Sequence, residues 1–160
     1  LALDLVRLLS EGARDMVYGQ AIDMAAPEHF PKEEAALEEL HRHKTGALLR
    51  AAVLLGARCA GLTPGESRYE ALDVYSRALG LAFQVADDIL DCTADTATLD
   101  KTAGKDLEQG KLTYVALLGL EGARAKAKAL EVRAHEALSE FGDAGQTLAA
   151  LASYVVSRES

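Results

Sequence analysis

The 160 residues, 49% of them hydrophobic, suffice for the core of one ordinary domain, but the most apolar stretch, 47–62, carries Arg50 and Arg58 and falls short of the ~20 apolar residues a membrane span needs. A balance of 17 basic against 25 acidic residues leaves a net charge of −8, which repels phosphate backbones and anionic membrane surfaces, so neither nucleic acid nor stable membrane insertion is expected. Two cysteines, Cys59 and Cys92, have neither metal-ligand spacing nor the number for a disulfide framework; they point to a reducing compartment, the cytoplasm, as small buried hydrophobes.

Apolar residues recur every three or four positions and no run alternates with the period of a strand, so the expected class is all-α. Leu1, Leu5, Leu8 and Leu9 keep that spacing from the start with no N-cap before them, which predicts a chain beginning inside a helix, with preceding helices absent from this sequence. The first helix, 1–25, stops before Pro27 and Pro31. Pro31 suits the first turn of a second helix, 31–43, where Glu33 and Glu34 meet the positive end of the dipole. Lys44-Thr45-Gly46 opens an apolar helix over 47–60, and Gly61 is set as its left-handed C-cap. Thr63, Pro64 and Glu66 read as a capping box for the longest helix, 65–92. Residues 93–110 are polar and aperiodic, with Gly104 and Gly110, and predict a loop of functional length. The helical pattern resumes over 112–141 with a bend at Gly119 and Gly122, turns at Gly142-Asp143, and closes with an amphipathic helix over 146–158. Its uncommitted apolar faces imply a helical bundle completed by further helices or by a partner.

On the 65–92 helix, a rotation of about 100° per residue sets Gln84, Asp87, Asp88 and Asp91 within one arc, and Leu72, Tyr75, Leu79, Ala82, Phe83, Ala86 and Leu90 on an apolar stripe. Acidic helix ends usually serve solvation. Here, however, like charges at i,i+4 repel, aspartate is a poor helix former, and three near a C-terminus oppose the dipole, so local stability does not account for them. A bound cation removes the penalty. Hard oxygen donors with no His or Cys beside them favour magnesium, which shares its open positions with water and phosphate; the expected ligand is a metal-bridged diphosphate.

Four stretches, Gly19-Gln20-Ala21-Ile22-Asp23, His41-Arg42-His43-Lys44-Thr45-Gly46, the run from Gly80 to Asp91, and the segment from Lys101 to Tyr114, occur in one order and spacing. Together they identify a sequence that resembles the trans-isoprenyl diphosphate synthases along essentially its whole length, nearest to the bacterial farnesyl diphosphate synthases. The resemblance implies that 1–160 is the C-terminal part of a single isoprenoid synthase domain. It implies a magnesium-dependent prenyltransferase that ionises an allylic diphosphate, dimethylallyl or geranyl, and lets isopentenyl diphosphate attack the allylic cation, the proton leaving to the released diphosphate. It also implies a homodimer. By the same resemblance Asp87, Asp88 and Asp91 hold magnesium, Asp87 first among them. Lys44 and Lys101 bind the diphosphate, Thr45 and Gln84 face the developing cation, Phe83 lines the pocket near isopentenyl diphosphate, and Gln20 and Asp23 support the site.

Each of these residues has a plainer role open to it: solvated lysines, a core phenylalanine, a polar helix face at Gln20 and Asp23. His41 and His43, at i,i+2, point apart and suit surface or packing roles. Asp100 stands where the family usually has glycine and Val115 where it often has proline. The family's first aspartate-rich motif, which faces the second across the site, has no counterpart here, so this polypeptide alone is expected to be inactive. A non-catalytic subunit of a heteromeric synthase and a class I terpene cyclase are the alternatives, and product length is not readable from these residues.

Overall fold

A computed structural model describes residues 1–25, 33–98 and 112–158, and among them every regular element is helical. In chain order these are α1 (Ala2–Ala25), α2 (Glu34–His41), a π-helical turn (Arg42–Gly46), α3 (Ala47–Cys59), α4 (Ser67–Thr98), α5 (Tyr114–Ala137), a 3-10 turn (Ser139–Gly145) and α6 (Gln146–Ser157).

The apolar stripe on α4 organises the bundle. Leu72, Tyr75, Leu79, Ala82, Val85 and Ala86 are all buried, and α5 lies along them with Tyr114, Ala123, Ala127 and Leu130, while α6 adds Ala152 and Val155. Burial of a leucine side chain such as Leu37 or Leu54, both wholly enclosed, contributes about 1.5–3 kcal/mol, so this shared core rather than intrinsic propensity holds the helices together. Tyr75 passes through the core and donates its hydroxyl to the carbonyl of Leu148 at 2.8 Å, tying α4 to α6. Burial pushes that phenol up to about 12.

The punctuation agrees with the chain's glycines. Gly61 has φ +91° after α3, Gly119 has φ +71° and kinks α5, and Gly142 has φ +53° in the turn before α6. The Thr63 start signal is half realised: its N–H reaches Glu66 Oε1 at 2.8 Å, but its hydroxyl donates to the same carboxylate instead of capping a backbone N–H, and α4 begins at Ser67.

The structure departs from the sequence expectations at several boundaries. α4 does not stop at Cys92 but runs through Thr98; Thr93 satisfies its hydroxyl on the carbonyls of Ile89 and Leu90, a local bond compatible with continuing the helix. The remainder of the expected 93–110 loop, with Asp100, Lys101 and Lys105, lies outside the described residues, as do Pro27 and Pro31. Cys59 is exposed rather than buried, because α3 ends there at the surface, while Cys92 is partly buried. No helix of the described residues is long and apolar enough to cross a membrane.

α1 meets this core only at its edge, through Leu8 and Ile22. Its buried residues are Gly12 and Gly19, whereas Leu3, Val6, Leu9, Val17, Tyr18 and Met24 are 52–84% exposed.

Candidate functional site

Two glycine contacts bring α1 and α4 against the π-helical turn. A Cβ on Gly19 would lie 2.3 Å from the backbone nitrogen of Lys44, and one on Gly80 would lie 3.1 Å from the Cα of Gly46. At 2.3 Å only bare backbone fits, and at 3.1 Å a side chain would require the turn to give by a few tenths of an ångström. A widened i→i+5 turn is rare and, where it occurs, frequently marks a functional site, and this one carries Lys44 and Thr45 between the two helices.

Lys44 Nζ donates to Asp23 Oδ2 at 2.7 Å, joining the turn to α1. Both side chains are more than one-third exposed, so the pair contributes at most about 1 kcal/mol and yields readily to a stronger anion. Gln20, three residues before Asp23 on α1, is exposed, and Thr45 is half-buried within the turn. The histidines of this stretch are structural: His43 packs edge-on against Tyr18 at 5.2 Å and meets Glu39 Oε1 at 3.0 Å, and His41 lies 5.8 Å from the Tyr114 ring.

The aspartates do not share one surface. Asp87 is half-exposed and Asp91 exposed, one turn apart on α4, but Asp88 is only 7% exposed and turns towards α5, where its Oδ2 accepts the Tyr114 N–H at 2.7 Å. That bond satisfies one of the orphan donors at the start of α5 and sets a negative charge where the helix dipole favours it; the Thr113 hydroxyl accepts from Ala116 N–H at 3.1 Å beside it. Tyr114 itself is wholly buried, and burial, with Glu38 next, pushes its phenol up. Gln84 Nε2 reaches Asp87 Oδ2 only at 3.5 Å, at the limit of a hydrogen bond.

Asp87 also binds the guanidinium of Arg158, which leaves the end of α6 in extended conformation and lies over the Phe83 ring, 4.3 Å from its centroid. Arg158 was not among the residues singled out by the sequence. A lone arginine after an apolar helix carries no signal for a contact 71 residues away. Gly19 and Gly46 lay inside motifs already noted, and their role as close-approach points is visible only in three dimensions.

The donor set fits a divalent cation in part. Asp87 and Asp91 offer accessible hard oxygens, and the guanidinium on Asp87 marks a position where positive charge is held. Among the described residues no three His, Cys, Asp or Glu side chains converge to hold a metal by themselves. Magnesium is suited to such a place, because it takes one or two carboxylates and completes its shell with water and phosphate oxygens. Lys101 lies outside the described residues.

A polyprenyl synthetase family model matches residues 1–151. The chain is 48% identical to the farnesyl diphosphate synthase of Escherichia coli (strain K12), over 97% of its own length and 54% of that protein's. It is 47% identical to geranylgeranyl pyrophosphate synthase 9, chloroplastic, of Arabidopsis thaliana, over 93% of its own length and 42% of that protein's. Its fold is similar to a crystal structure of geranyltransferase from Helicobacter pylori complexed with magnesium and isoprenyl diphosphate, with a TM-score of 0.73 and 31% identity over 96% of this chain and 50% of that one. The chain thus spans about half the length of the curated relatives it matches.

Proposed function

The chain belongs to the polyprenyl synthetase family, and on that footing we propose that the protein containing it condenses isopentenyl diphosphate with an allylic diphosphate, making farnesyl diphosphate from the geranyl substrate. The observation that carries this reading is the meeting of α1, the Lys44–Gly46 turn and α4 at paired glycines, with the accessible carboxylates Asp87 and Asp91 about two and three turns further along α4 from Gly80. We read residues 1–160 as the C-terminal part of one isoprenoid synthase domain acting in a homodimer in the cytoplasm.

Asp87 and Asp91 would hold magnesium, with Asp88 supporting them from behind through its bond to α5. Bound magnesium supplies charge neutralisation of the allylic diphosphate, the requirement for breaking its carbon–oxygen bond. Lys44 would exchange its weak pairing with Asp23 for the diphosphate, and Lys101 would bind the same group. Thr45 and Gln84 would turn oxygen lone pairs towards the allylic carbocation. The double bond of isopentenyl diphosphate attacks that cation, the new carbon–carbon bond forms, and a proton leaves to the released diphosphate. Phe83 would line the pocket for isopentenyl diphosphate, with Gln20 and Asp23 fixing the turn from α1.

The test is an assay of the full-length protein with isopentenyl and geranyl diphosphates and magnesium. A product five carbons longer is expected, lost on chelation, and Asp87→Ala should slow its formation at least ~100-fold, the scale on which removal of a charge-stabilising group is felt. Absence of any longer diphosphate, with Asp87→Ala indistinguishable from the parent, sinks the proposal; accumulation of a 20-carbon product refutes only the farnesyl assignment.

A further inference from the structure

We propose that Arg158 is a resident counter-ion of Asp87 and competes with the divalent cation for that carboxylate, so that metal binding and release of the Arg158 side chain from α4 are one event. The inference rests on the reading of Asp87 as a metal ligand.

Three features of the contact point this way. The Arg158 side chain is only 19% exposed while Asp87 is 40% exposed, so solvent reaches the carboxylate more readily than the guanidinium. The guanidinium is held by one carboxylate and by the face of Phe83, and among the described residues its buried Nε–H has no hydrogen-bond partner. A structural arginine in such a position ordinarily has its donors met, because a stranded buried N–H opposes the pairing. Finally, Arg158 stands beyond the last turn of α6, with φ −60° and ψ 135°, and its backbone is secured there by its N–H to the Tyr154 carbonyl at 2.9 Å. The side chain can leave Asp87 without unwinding the helix.

A divalent ion on Asp87 would meet the guanidinium at a few ångströms, and two cations at that separation repel strongly in a partly dry site. One must yield. The singly charged, incompletely bonded group is the weaker competitor, and by reciprocity whatever Arg158 gains at Asp87 the metal must overcome. The same displacement uncovers the Phe83 ring. In the metal-free protein, then, Arg158 neutralises Asp87 and covers a wall of the proposed pocket; in the metal-bound protein it does neither.

The experiment is an EPR titration of the full-length protein with Mn2+ alone, without substrate, at fixed ionic strength. Arg158→Gln should tighten Mn2+ binding roughly fivefold, the scale of one partly exposed ion pair, while Arg158→Lys, which keeps the charge, should stay near the parent. Asp87→Asn should weaken Mn2+ binding and abolish the difference made by Arg158→Gln. If Arg158→Gln leaves Mn2+ affinity unchanged or lowers it while Asp87→Asn still weakens binding, the competition is refuted and the metal assignment survives. If Asp87→Asn has no effect in either background, both fail.

Discussion

Asp87 and Asp88 are neighbours in sequence and do different physical work. Asp88 closes a buried hydrogen bond on the first residue of α5, whereas Asp87 faces half into solvent and meets an arginine at the C-cap of α6. Removing the first strands the Tyr114 N–H in the core, which costs about 1–3 kcal/mol, and removing the second strands no buried donor of α5. Asp88→Ala should therefore lower the midpoint of chemical denaturation clearly, while Asp87→Ala should change it little and act on metal binding. Equilibrium urea unfolding of the two variants checks this, and equal destabilisation would show that Asp88 has no special structural role. The sequence could not separate them: an arc of about 100° contains both, and only the side on which α5 packs decides which carboxylate is enclosed.

At the scale of elements, α6 is fastened to α5 by a charged network. Glu131 is nearly buried; it accepts Lys128 Nζ at 2.7 Å from its own helix and Ser153 Oγ at 2.6 Å from α6, and His135 Nε2 lies 3.1 Å from the same hydroxyl. Lys128 first, then Ser153, holds the Glu131 carboxyl below its usual range. A lowered folded-state pKa contributes stability above the unfolded value and loses it as pH falls through the folded one. Glu131→Gln should consequently be less stable than the parent at neutral pH, with the gap closing on acidification below about pH 4.5; thermal melts across that range measure it, and a gap independent of pH would refute the assignment. Lys128 is 69% exposed, so salt should shrink its part and spare the Ser153 bond. Element existence was legible from the sequence because burial is periodic: of the seven stripe positions Leu72, Tyr75, Leu79, Ala82 and Ala86 are buried, Phe83 packs against the core beneath Arg158, and Leu90 is partly buried. The π-helical turn was not legible. Its widening belongs to the backbone contacts of Gly19 and Gly80 with residues 43–46, which arise only after three elements meet.

For the molecule as a whole, the decisive feature is the outer face of α1. Leu3, Val6, Val17, Tyr18 and Met24 are more than half exposed, and a rotation of about 100° per residue sets Leu3, Val6, Val17 and Met24 on one face of the helix, in a chain that spans about half of its relatives. Exposed apolar side chains gathered on one helix face favour association, and α1 sets Arg7 and Arg14 against Asp4, Glu11, Asp15 and Asp23, a small net charge that supplies little repulsion. Produced as a 160-residue polypeptide, the chain should self-associate and bind a hydrophobic dye, and Val6→Lys with Val17→Glu should reduce both while leaving the α4–α5 core folded. On the proposed function it should also lack synthase activity, because the described residues do not close a metal site unaided. Light scattering after size exclusion, run beside the prenyl transfer assay, tests the two consequences separately. A monodisperse monomer would mean that the α1 face is satisfied within the chain, and turnover by the 160-residue polypeptide would mean that Asp87 and Asp91 need no opposing carboxylates.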